Sequence, residues 1–559
     1  MFGKLRQIAT DPSLWCAVAI AVCVLASHPF LEMGFDDDFS YIWTAKALAT
    51  TGHVVYNNWA TAMLGWQLYL GALFIKVFGF SFSTVRFSVL LVAMVTGALL
   101  QRLFVRLGVN SWNATLATLT LTTSPLYLPL AFSFMTDIPG FLAILVCVYC
   151  CVRATQATSD RSTIVWLILA AASNAIGGTA RQIAWLGVLV LVPSTAWLLR
   201  KRSGVLAITG GVWVLSVGFI AGCMSWFKKQ PYSVNEPLAI HFHFFSHKYL
   251  AIPLLTLPVL IAFLRHYPFR ERWASVRAGI AAASIVIPLV LYRVLKAASF
   301  RGHSKYLLAP FSDGEVTVKG FDIGAFPGTR PDVLPLWLQV VLTIVTLSSL
   351  FAFILFLLNS SRLGLKAGAG IAARTSISNA MLTKMLAPFT VAYLALMITR
   401  AAMFERYFLP MLFILLVFAL RFYQAKVAMH LPTASIVSVA AYAIFGVVTL
   451  HDFNATGRAQ LEAADHLRSA GIPRRDIRAG FEYDGWTQIE LTGQLAPKKR
   501  PPSIPKCTYW WESDTPSING RYELSYDRTC FSESEFPAVE YQTWLPPHHQ
   551  SIYTLRTSH

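Results

Sequence analysis

Three consecutive acids, Asp36, Asp37 and Asp38, follow the first long apolar run of the chain. Only 13% of the residues are charged, so three adjacent carboxylates are unusual in this sequence. Because like charges this close repel, one acid is expected to hold its proton more tightly, which suits a general base or a site that handles metal or phosphate. The alternative is structural, with Asp38 capping the helix predicted over residues 39–48. The residue types alone leave both interpretations open.

Asp137 is the second notable acid, in a short turn between two apolar runs. Acids at membrane depth are usually functional, although an aspartate before an Ile-Pro pair also opens a helix well. Arg181 and Arg406 lie in two further turns, and a planar guanidinium can bind two phosphate oxygens at once. An ion pair with Glu405 or a contact with a lipid head group is the alternative for Arg406.

The composition predicts a polytopic α-helical membrane protein. The chain has 559 residues, 55% of them hydrophobic, and a mean hydropathy of +0.54. Runs close to the ~20 residues that cross a bilayer recur about thirteen times, from residues 14–31 to residues 434–450. The net charge of +18 would suggest a nucleic-acid partner in a soluble protein. Here most basic residues lie in loops between spans, so the charge indicates topology instead.

The distribution of lysine and arginine predicts the sidedness of the chain. Residues 64–78 are short for a crossing and are predicted to be interfacial. If residues 64–78 are not counted as a membrane crossing, the basic loops and the N-terminus are all predicted to lie in the cytoplasm. The transmembrane unit then covers residues 1–451 and a small α+β domain covers residues 452–559 on the outer side. The predicted outer loops are residues 32–82, 133–138, 228–249 and 296–333. The acids lie in the first two of these loops, and Arg181 and Arg406 lie in two further turns on the same face.

The C-terminal domain is predicted to contain a helix over residues 457–470 and a strand over residues 477–483. Cys507 and Cys530 are its two cysteines, and they could form a disulfide in an oxidising compartment. Its aromatic residues are predicted to form its core, with a contact surface for a partner as the alternative. They include Tyr483, Trp486, Trp510 and Trp511.

Two outer loops carry further candidates. His241, His243 and His247 have a spacing that could hold a metal ion, but histidine among aromatic residues is also a common membrane anchor. Residues 296–333 are predicted to form a long loop with several basic residues. Loops of this length in a compact protein are often active-site lids.

Three motifs together resemble the GT-C superfamily of integral-membrane glycosyltransferases, in the branch of the protein O-mannosyltransferases and the lipid A aminoarabinose transferase. The resemblance is to bacterial members and covers roughly residues 10–450. The motifs, in chain order, are Asp37-Asp38-Phe39-Ser40-Tyr41, Phe134-Met135-Thr136-Asp137-Ile138-Pro139 and Glu405-Arg406-Tyr407-Phe408-Leu409-Pro410.

The resemblance implies transfer of a hexosyl or pentosyl group, with inversion, from a polyprenyl-phosphate donor to an unknown glycan, lipid or protein acceptor. It places the reaction on the outer face of the bacterial inner membrane and the C-terminal domain in the periplasm. Asp37 or Asp38 would be the base, and Asp137 would assist by binding a metal ion or the acceptor. A divalent metal ion is the one cofactor that it leaves open. The donor phosphate would be bound by Arg181, Arg406 and Tyr407.

Asp36 is left out of the implied catalytic set, because bacterial relatives often have an uncharged residue at its position. Two other function classes stay open. A lipid-linked glycan flippase or a small-solute transporter should carry ionisable groups near the bilayer midplane. A non-catalytic envelope assembly protein would work through its C-terminal domain. The clustering of the acids at one surface favours the transferase.

Overall fold

The computed structural model describes most of the chain as helices. The described residues are 10–235, 249, 251–266, 273–274, 276–285, 288, 316–317, 319–321, 325–362, 377–399, 404–497 and 507–557. The helices, in chain order, are α1 (Pro12–Ala26), α2 (Asp38–Thr51), α3 (Gly65–Phe78), α4 (Phe82–Arg106), α5 (Ser111–Thr122), α6 (Tyr127–Ala131), α7 (Asp137–Gln156), α8 (Asp160–Gly177), α9 (Gln182–Leu198), α10 (Val205–Lys229), α11 (Ala251–Leu255), α12 (Leu257–His266), α13 (Val276–Ile285), α14 (Leu336–Arg362), α15 (Asn379–Ile398), α16 (Leu409–Lys426), α17 (Thr433–Ser469) and α18 (Phe481–Thr492).

Seven helices in the described part of the chain are long and apolar enough to cross a membrane. Together with a small C-terminal sheet, they confirm the prediction of a polytopic α-helical protein with an α+β domain. The predicted count of thirteen spans is not confirmed. Helix α3, which matches the run predicted to be interfacial, has 14 residues and is too short for a straight crossing. The seven helices are α4, α7, α10, α14, α15, α16 with the 3₁₀ turn before it, and α17.

Local sequence explains two differences from the predicted spans. Residues 114–132 were predicted as one span, but the structure has α5 and α6 with a break between them. Pro125 lies in the break, and proline disfavours a helical conformation in the residue before it. Conversely, α17 runs without interruption through the predicted boundary at residues 451–452. No proline lies in that stretch, and the helix ends just before Gly471, whose φ is 86°.

The C-terminal domain is built on a small mixed sheet. Strand β3 is parallel to β4, β4 is antiparallel to β7, and β7 also pairs with β5 and β6. A two-stranded hairpin, β1 and β2, lies in the segment before α14. The strands are β1 (Val316–Thr317), β2 (Gly320–Phe321), β3 (Ile477–Arg478), β4 (Tyr522–Ser525), β5 (Ser532–Glu533), β6 (Val539–Gln542) and β7 (His549–Arg556).

The strand predicted over residues 477–483 is wrong after Arg478. Gly480 adopts a φ of 92°, which turns the chain, and α18 begins at Phe481. Asp484 in the first turn of α18 stabilises this turn, because its side chain accepts a hydrogen bond of 2.9 Å from the backbone amide of Ala479. The last three residues of the predicted strand therefore begin a helix whose first nine residues are all buried.

The predicted disulfide between Cys507 and Cys530 is confirmed, with the two Cα atoms 5.5 Å apart. Its first cysteine precedes the segment that contains Trp510 and Trp511. Trp511 is buried and Trp510 is partly buried. The aromatic residues thus belong to the packed interior, and several of them pack against the transmembrane unit.

Glu523 is expected to make the C-terminal domain less stable as the pH rises. Its side chain accepts a hydrogen bond of 2.7 Å from Tyr509 Oη, and burial raises the pKa of its carboxyl to about 7. Because the folded state holds this proton more tightly than the unfolded state, the stabilisation is complete below about pH 4 and is lost as the pH rises through about 7. The loss should be on the order of 3 kcal/mol.

Glu523→Gln should flatten this pH dependence, because the amide stays neutral and can still accept from Tyr509. The measurement is thermal unfolding of the full-length protein between pH 4 and pH 8, followed by tryptophan fluorescence. Glu540→Gln, at an exposed position of β6, is the matched control and should keep the slope of the parent. Equal slopes in Glu523→Gln and the parent would contradict the prediction.

Candidate active site

The side chain of Asp38 is buried where three segments meet: the acidic loop (residues 34–38), helix α4 and the turn before α7. The carboxylate forms a two-point ion pair with Arg86 of α4, at 2.8 Å to Nε and 3.1 Å to Nη2. It also accepts hydrogen bonds from the backbone amides of Phe35 at 2.7 Å and Phe134 at 3.1 Å. Its exposed fraction is 0%. Asp38 therefore fixes the acidic loop to α4 and to the turn that carries Asp137.

Asp37 is placed differently from Asp38. It is the N-cap residue of α2 but makes no side-chain capping bond, and it is partly exposed. Its Oδ1 accepts a short hydrogen bond of 2.6 Å from Trp59 Nε1. The ring of Trp59 is held in turn by Phe481 of α18, with ring centroids 4.8 Å apart. Asp37 is thus an oriented carboxylate that solvent or a substrate can reach.

A chain of alternating charges links the acidic loop to the other candidate turns. Arg406 Nη1 lies 2.8 Å from Asp36 Oδ2, and Arg406 Nε lies 3.8 Å from Asp137 Oδ1. Arg181 Nη1 lies 2.7 Å from the same Oδ1 atom of Asp137. The other oxygen of Asp137, Oδ2, is buried and has no hydrogen-bond partner in the described part of the chain. Four groups distant in sequence therefore converge at one place.

Three of these groups, Asp137, Arg181 and Arg406, line a pocket between α7, α9, α15 and α16. Arg181 lies over the ring of Tyr407, 4.7 Å from its centroid, and Tyr393 Oη donates a hydrogen bond to the backbone oxygen of Tyr407 at 2.9 Å. The remaining walls are apolar. With this lining, cations would face the head of a lipid phosphate and apolar side chains would face its hydrocarbon tail. The apolar lining residues are Phe141, Ile144, Ile183, Leu409 and Pro410.

Gly140 creates the space that Arg181 occupies. A Cβ atom on Gly140 would lie 3.0 Å from both Cβ and Cδ of Arg181. The glycine sits in the first turn of α7, one turn after Asp137, so the helix can present the acid while the arginine packs against its backbone. The position of Arg181 thus depends on a residue without a side chain.

The carboxylates do not fit a metal site. Among the described residues, no group of three or more histidine, cysteine, aspartate or glutamate side chains could hold a metal ion. Asp36 and Asp137 already face guanidinium groups, which supply the positive charge that a cation would bring. The divalent metal ion left open by the sequence stays a prediction, and no step of the reaction proposed below is assigned to it.

The structure brings together most of the residues that the sequence singled out. Asp137, Arg181, Arg406 and Tyr407 line one pocket, and Asp37 precedes the buried Asp38 on the neighbouring loop. Their catalytic and phosphate-binding roles stay predictions. Helix capping does not account for Asp137, because Thr136 is the N-cap of α7 and Asp137 makes an ion pair instead.

Three residues of the site were missed. Asp36 was set aside on the pattern of relatives, although its residue type matched its neighbours. Trp59 and Tyr393 carry no signal in the sequence, since one tryptophan or tyrosine among many does not reveal a long-range hydrogen bond. The histidines His241, His243 and His247 lie outside the described residues, as does most of the predicted lid over residues 296–333.

Comparison with known sequences supports the resemblance over part of the chain. The sequence model of the family described as dolichyl-phosphate-mannose-protein mannosyltransferase matches residues 66–228. This match confirms the predicted resemblance to membrane glycosyltransferases, and it includes Asp137 and Arg181. A search of curated proteins gives no match.

Several solved structures are similar over long stretches at low identity. ArnT from Cupriavidus metallidurans in the apo state is 13% identical, with 97% of each chain covered and a TM-score of 0.40. The same protein bound to undecaprenyl phosphate has a TM-score of 0.39 at 13% identity, with 97% of this chain and 98% of that chain covered. An oligosaccharyltransferase from Archaeoglobus fulgidus is 15% identical, with 90% of this chain and 61% of that chain covered and a TM-score of 0.42.

Proposed function

We propose that this protein transfers a sugar from a polyprenyl-phosphate donor to an acceptor hydroxyl, with inversion at the anomeric carbon. The pocket carries the proposal, because its lining combines two arginines with apolar side chains. The family match supports the same reaction class, since that family is named for transfer from dolichyl phosphate mannose. The setting is the outer face of a bacterial inner membrane, where the C-terminal domain would lie in the periplasm.

The donor phosphate binds between Arg181 and Arg406 in this proposal. Both guanidinium groups lie beside the Asp137 carboxylate, which keeps them aligned and limits the net charge of the empty pocket. Tyr407 supports Arg181 through its ring. The isoprene units nearest the phosphate lie against the apolar walls, so the lipid tail can extend into the bilayer.

The chemical step is a single displacement. The acceptor oxygen forms a bond to the anomeric carbon while the bond from that carbon to the phosphate oxygen breaks. The electron pair of the broken bond stays on the phosphate, where the arginines stabilise the added charge. Asp37 takes the proton of the acceptor hydroxyl and so becomes neutral. Positive charge that develops on the sugar ring is favoured by the nearby carboxylates.

Arg406→Gln should lower the rate of donor consumption by about 10²–10³-fold, the usual cost of removing one group that stabilises a developing oxyanion. Arg406→Lys should recover part of this loss, because the charge returns without the two-point geometry. The assay uses purified protein in lipid nanodiscs with a panel of polyprenyl-phosphate sugars, and mass spectrometry follows the donor and the released polyprenyl phosphate.

Arg161→Gln is the matched control, since Arg161 is an exposed arginine on α8. It should keep the activity of the parent, and all variants should show the parent's thermal unfolding profile before rates are compared. If Arg406→Gln kept full activity, the assignment of Arg406 to the donor site would be wrong. If donors bind the parent and remain intact even with crude envelope acceptors, the transporter alternative replaces the proposal.

A further inference from the structure

Asp137 contacts both arginines of the pocket through only one of its two carboxylate oxygens. Its Oδ1 atom lies 2.7 Å from Arg181 Nη1 and 3.8 Å from Arg406 Nε. Its Oδ2 atom has no hydrogen-bond partner in the described part of the chain. A guanidinium and a carboxylate pair most strongly through two parallel bonds. Neither arginine meets Asp137 in that way, so these ion pairs are weaker than the residue types allow.

The pair between Asp38 and Arg86 is the contrast within the same protein. It has two contacts, at 2.8 Å and 3.1 Å, and both side chains are at most 2% exposed. The side chain of Arg181 is 16% exposed, and Arg181, Arg406 and Asp137 all line the pocket. An anion that enters the pocket can therefore reach the arginines beside Asp137, whereas Arg86 is enclosed.

Asp137 is a fixed negative charge next to any anion that these two arginines bind. Both guanidinium groups lie beside its Oδ1 atom, so an anion that contacts both of them also comes close to this carboxylate. Asp137 is 5% exposed, and charges in such surroundings interact strongly, because the effective dielectric constant is about 20 instead of the ~80 of water. The arginines attract the anion and Asp137 opposes it.

The charge of the lipid phosphate increases during the proposed reaction. The donor is a phosphodiester with one negative charge. The product is a phosphomonoester whose second pKa is about 6, so it carries nearly two charges at neutral pH. In the transition state the added negative charge is accompanied by positive charge on the sugar ring. After transfer that positive charge is gone and the proton of the acceptor hydroxyl lies on Asp37, so only the product presents a second charge to Asp137.

We infer that Asp137 discriminates between the donor and the spent lipid: its carboxylate weakens the binding of polyprenyl phosphate relative to that of the donor, and so favours release of the product. This role differs from the metal or acceptor binding that the resemblance implied for Asp137. The inference rests on the proposed function for the identity of the ligand, but the discrimination can be measured as binding, without turnover.

The test compares the affinities of farnesyl phosphate and its monomethyl ester, which carry nearly two charges and one charge at a pH of about 7.5. The full-length protein in detergent micelles is titrated separately with each lipid, and native mass spectrometry measures the bound fraction. In Asp137→Asn the preference for the phosphate over the ester should rise at least ~10-fold above that of the parent. The reason is that the removed charge acts on two charges of the phosphate and on one of the ester.

Asp160→Asn is the matched control for this test. Asp160 is the first residue of α8, as Asp137 is of α7, but it is exposed, so this variant should keep the preference of the parent. Asp137→Asn leaves the charge of Arg181 without this ion pair. Arg181→Gln and the double variant Arg181→Gln/Asp137→Asn therefore provide a second comparison, in which Arg181 carries no charge. The double variant should prefer the phosphate at least ~10-fold more than Arg181→Gln does.

An equal preference in Asp137→Asn and the parent would overturn the inference, as would a parent that binds neither lipid. A purely structural role of Asp137 would weaken the binding of both lipids by the same factor, so it would leave the preference unchanged and would also contradict the inference. Failure of the proposed function looks different, because the preference would shift as expected in Asp137→Asn while the parent consumes no donor from the panel of polyprenyl-phosphate sugars.

Discussion

Asp37→Asn is expected to lower the rate of sugar transfer by about 10²–10⁴-fold, the range that a general base contributes. The carboxylate is the proton acceptor in the proposed step, and an asparagine amide cannot replace it. The fold should be unaffected, because the amide oxygen of the new side chain could still accept the hydrogen bond that Trp59 donates to Asp37 Oδ1. The transfer rate is measured as donor consumption by mass spectrometry. The fold is checked by thermal unfolding, followed by tryptophan fluorescence.

Trp59→Phe is the informative companion to this variant. It keeps an aromatic ring next to Phe481 and removes the Nε1–H group that orients Asp37, together with the rest of the five-membered ring of the indole. Its rate of sugar transfer should lie between those of Asp37→Asn and the parent, since the base remains but is less well positioned. If Asp37→Asn kept a tenth or more of the parent rate, Asp37 would not be the base.

The sequence contained enough to predict the class of fold and most of the pocket. Long apolar runs require helices in a bilayer, so the helical architecture follows from composition alone. Asp137, Arg181 and Arg406 could be singled out because charged residues in short turns between apolar runs are rare. The distribution of basic loops then placed them on one face, and the structure brings all three to one pocket.

The rest depended on contacts between distant parts of the chain. Nothing near Asp38 in sequence indicates that its partner is Arg86. This ion pair is what makes the surroundings of Asp38 different from those of Asp37. Phe481 reaches Trp59, the partner of Asp37, only because α18 packs there, and the local pattern predicted a strand instead of that helix. The strand prediction failed after Arg478 because Gly480, with a positive φ, turns the chain before α18 begins.

Asp38→Asn is expected to destabilise the protein by about 3–5 kcal/mol, the cost of removing one partner from a buried ion pair. Arg86 would keep its charge at 1% exposure, and the uncharged backbone oxygens of Leu31 and Met33 would remain as its hydrogen-bond acceptors. The loop and the turn before Asp137 would also lose an anchor. Thermal unfolding of the detergent-solubilised protein, with the yield of folded protein from membranes, measures the effect.

Asp37→Asn is the matched comparison for this variant, because the two substitutions are chemically identical and one residue apart. The expected results differ because Asp38 is buried and Asp37 is partly exposed. Asp38→Asn should lower the unfolding temperature sharply, whereas Asp37→Asn should leave it unchanged and remove activity. The opposite pattern, an unchanged unfolding temperature with lost transfer in Asp38→Asn and normal transfer in Asp37→Asn, would assign the base to Asp38. The burial of Asp38 argues against that assignment, because an acceptor hydroxyl cannot reach a carboxylate that is 0% exposed and already receives bonds from Arg86 and two backbone amides.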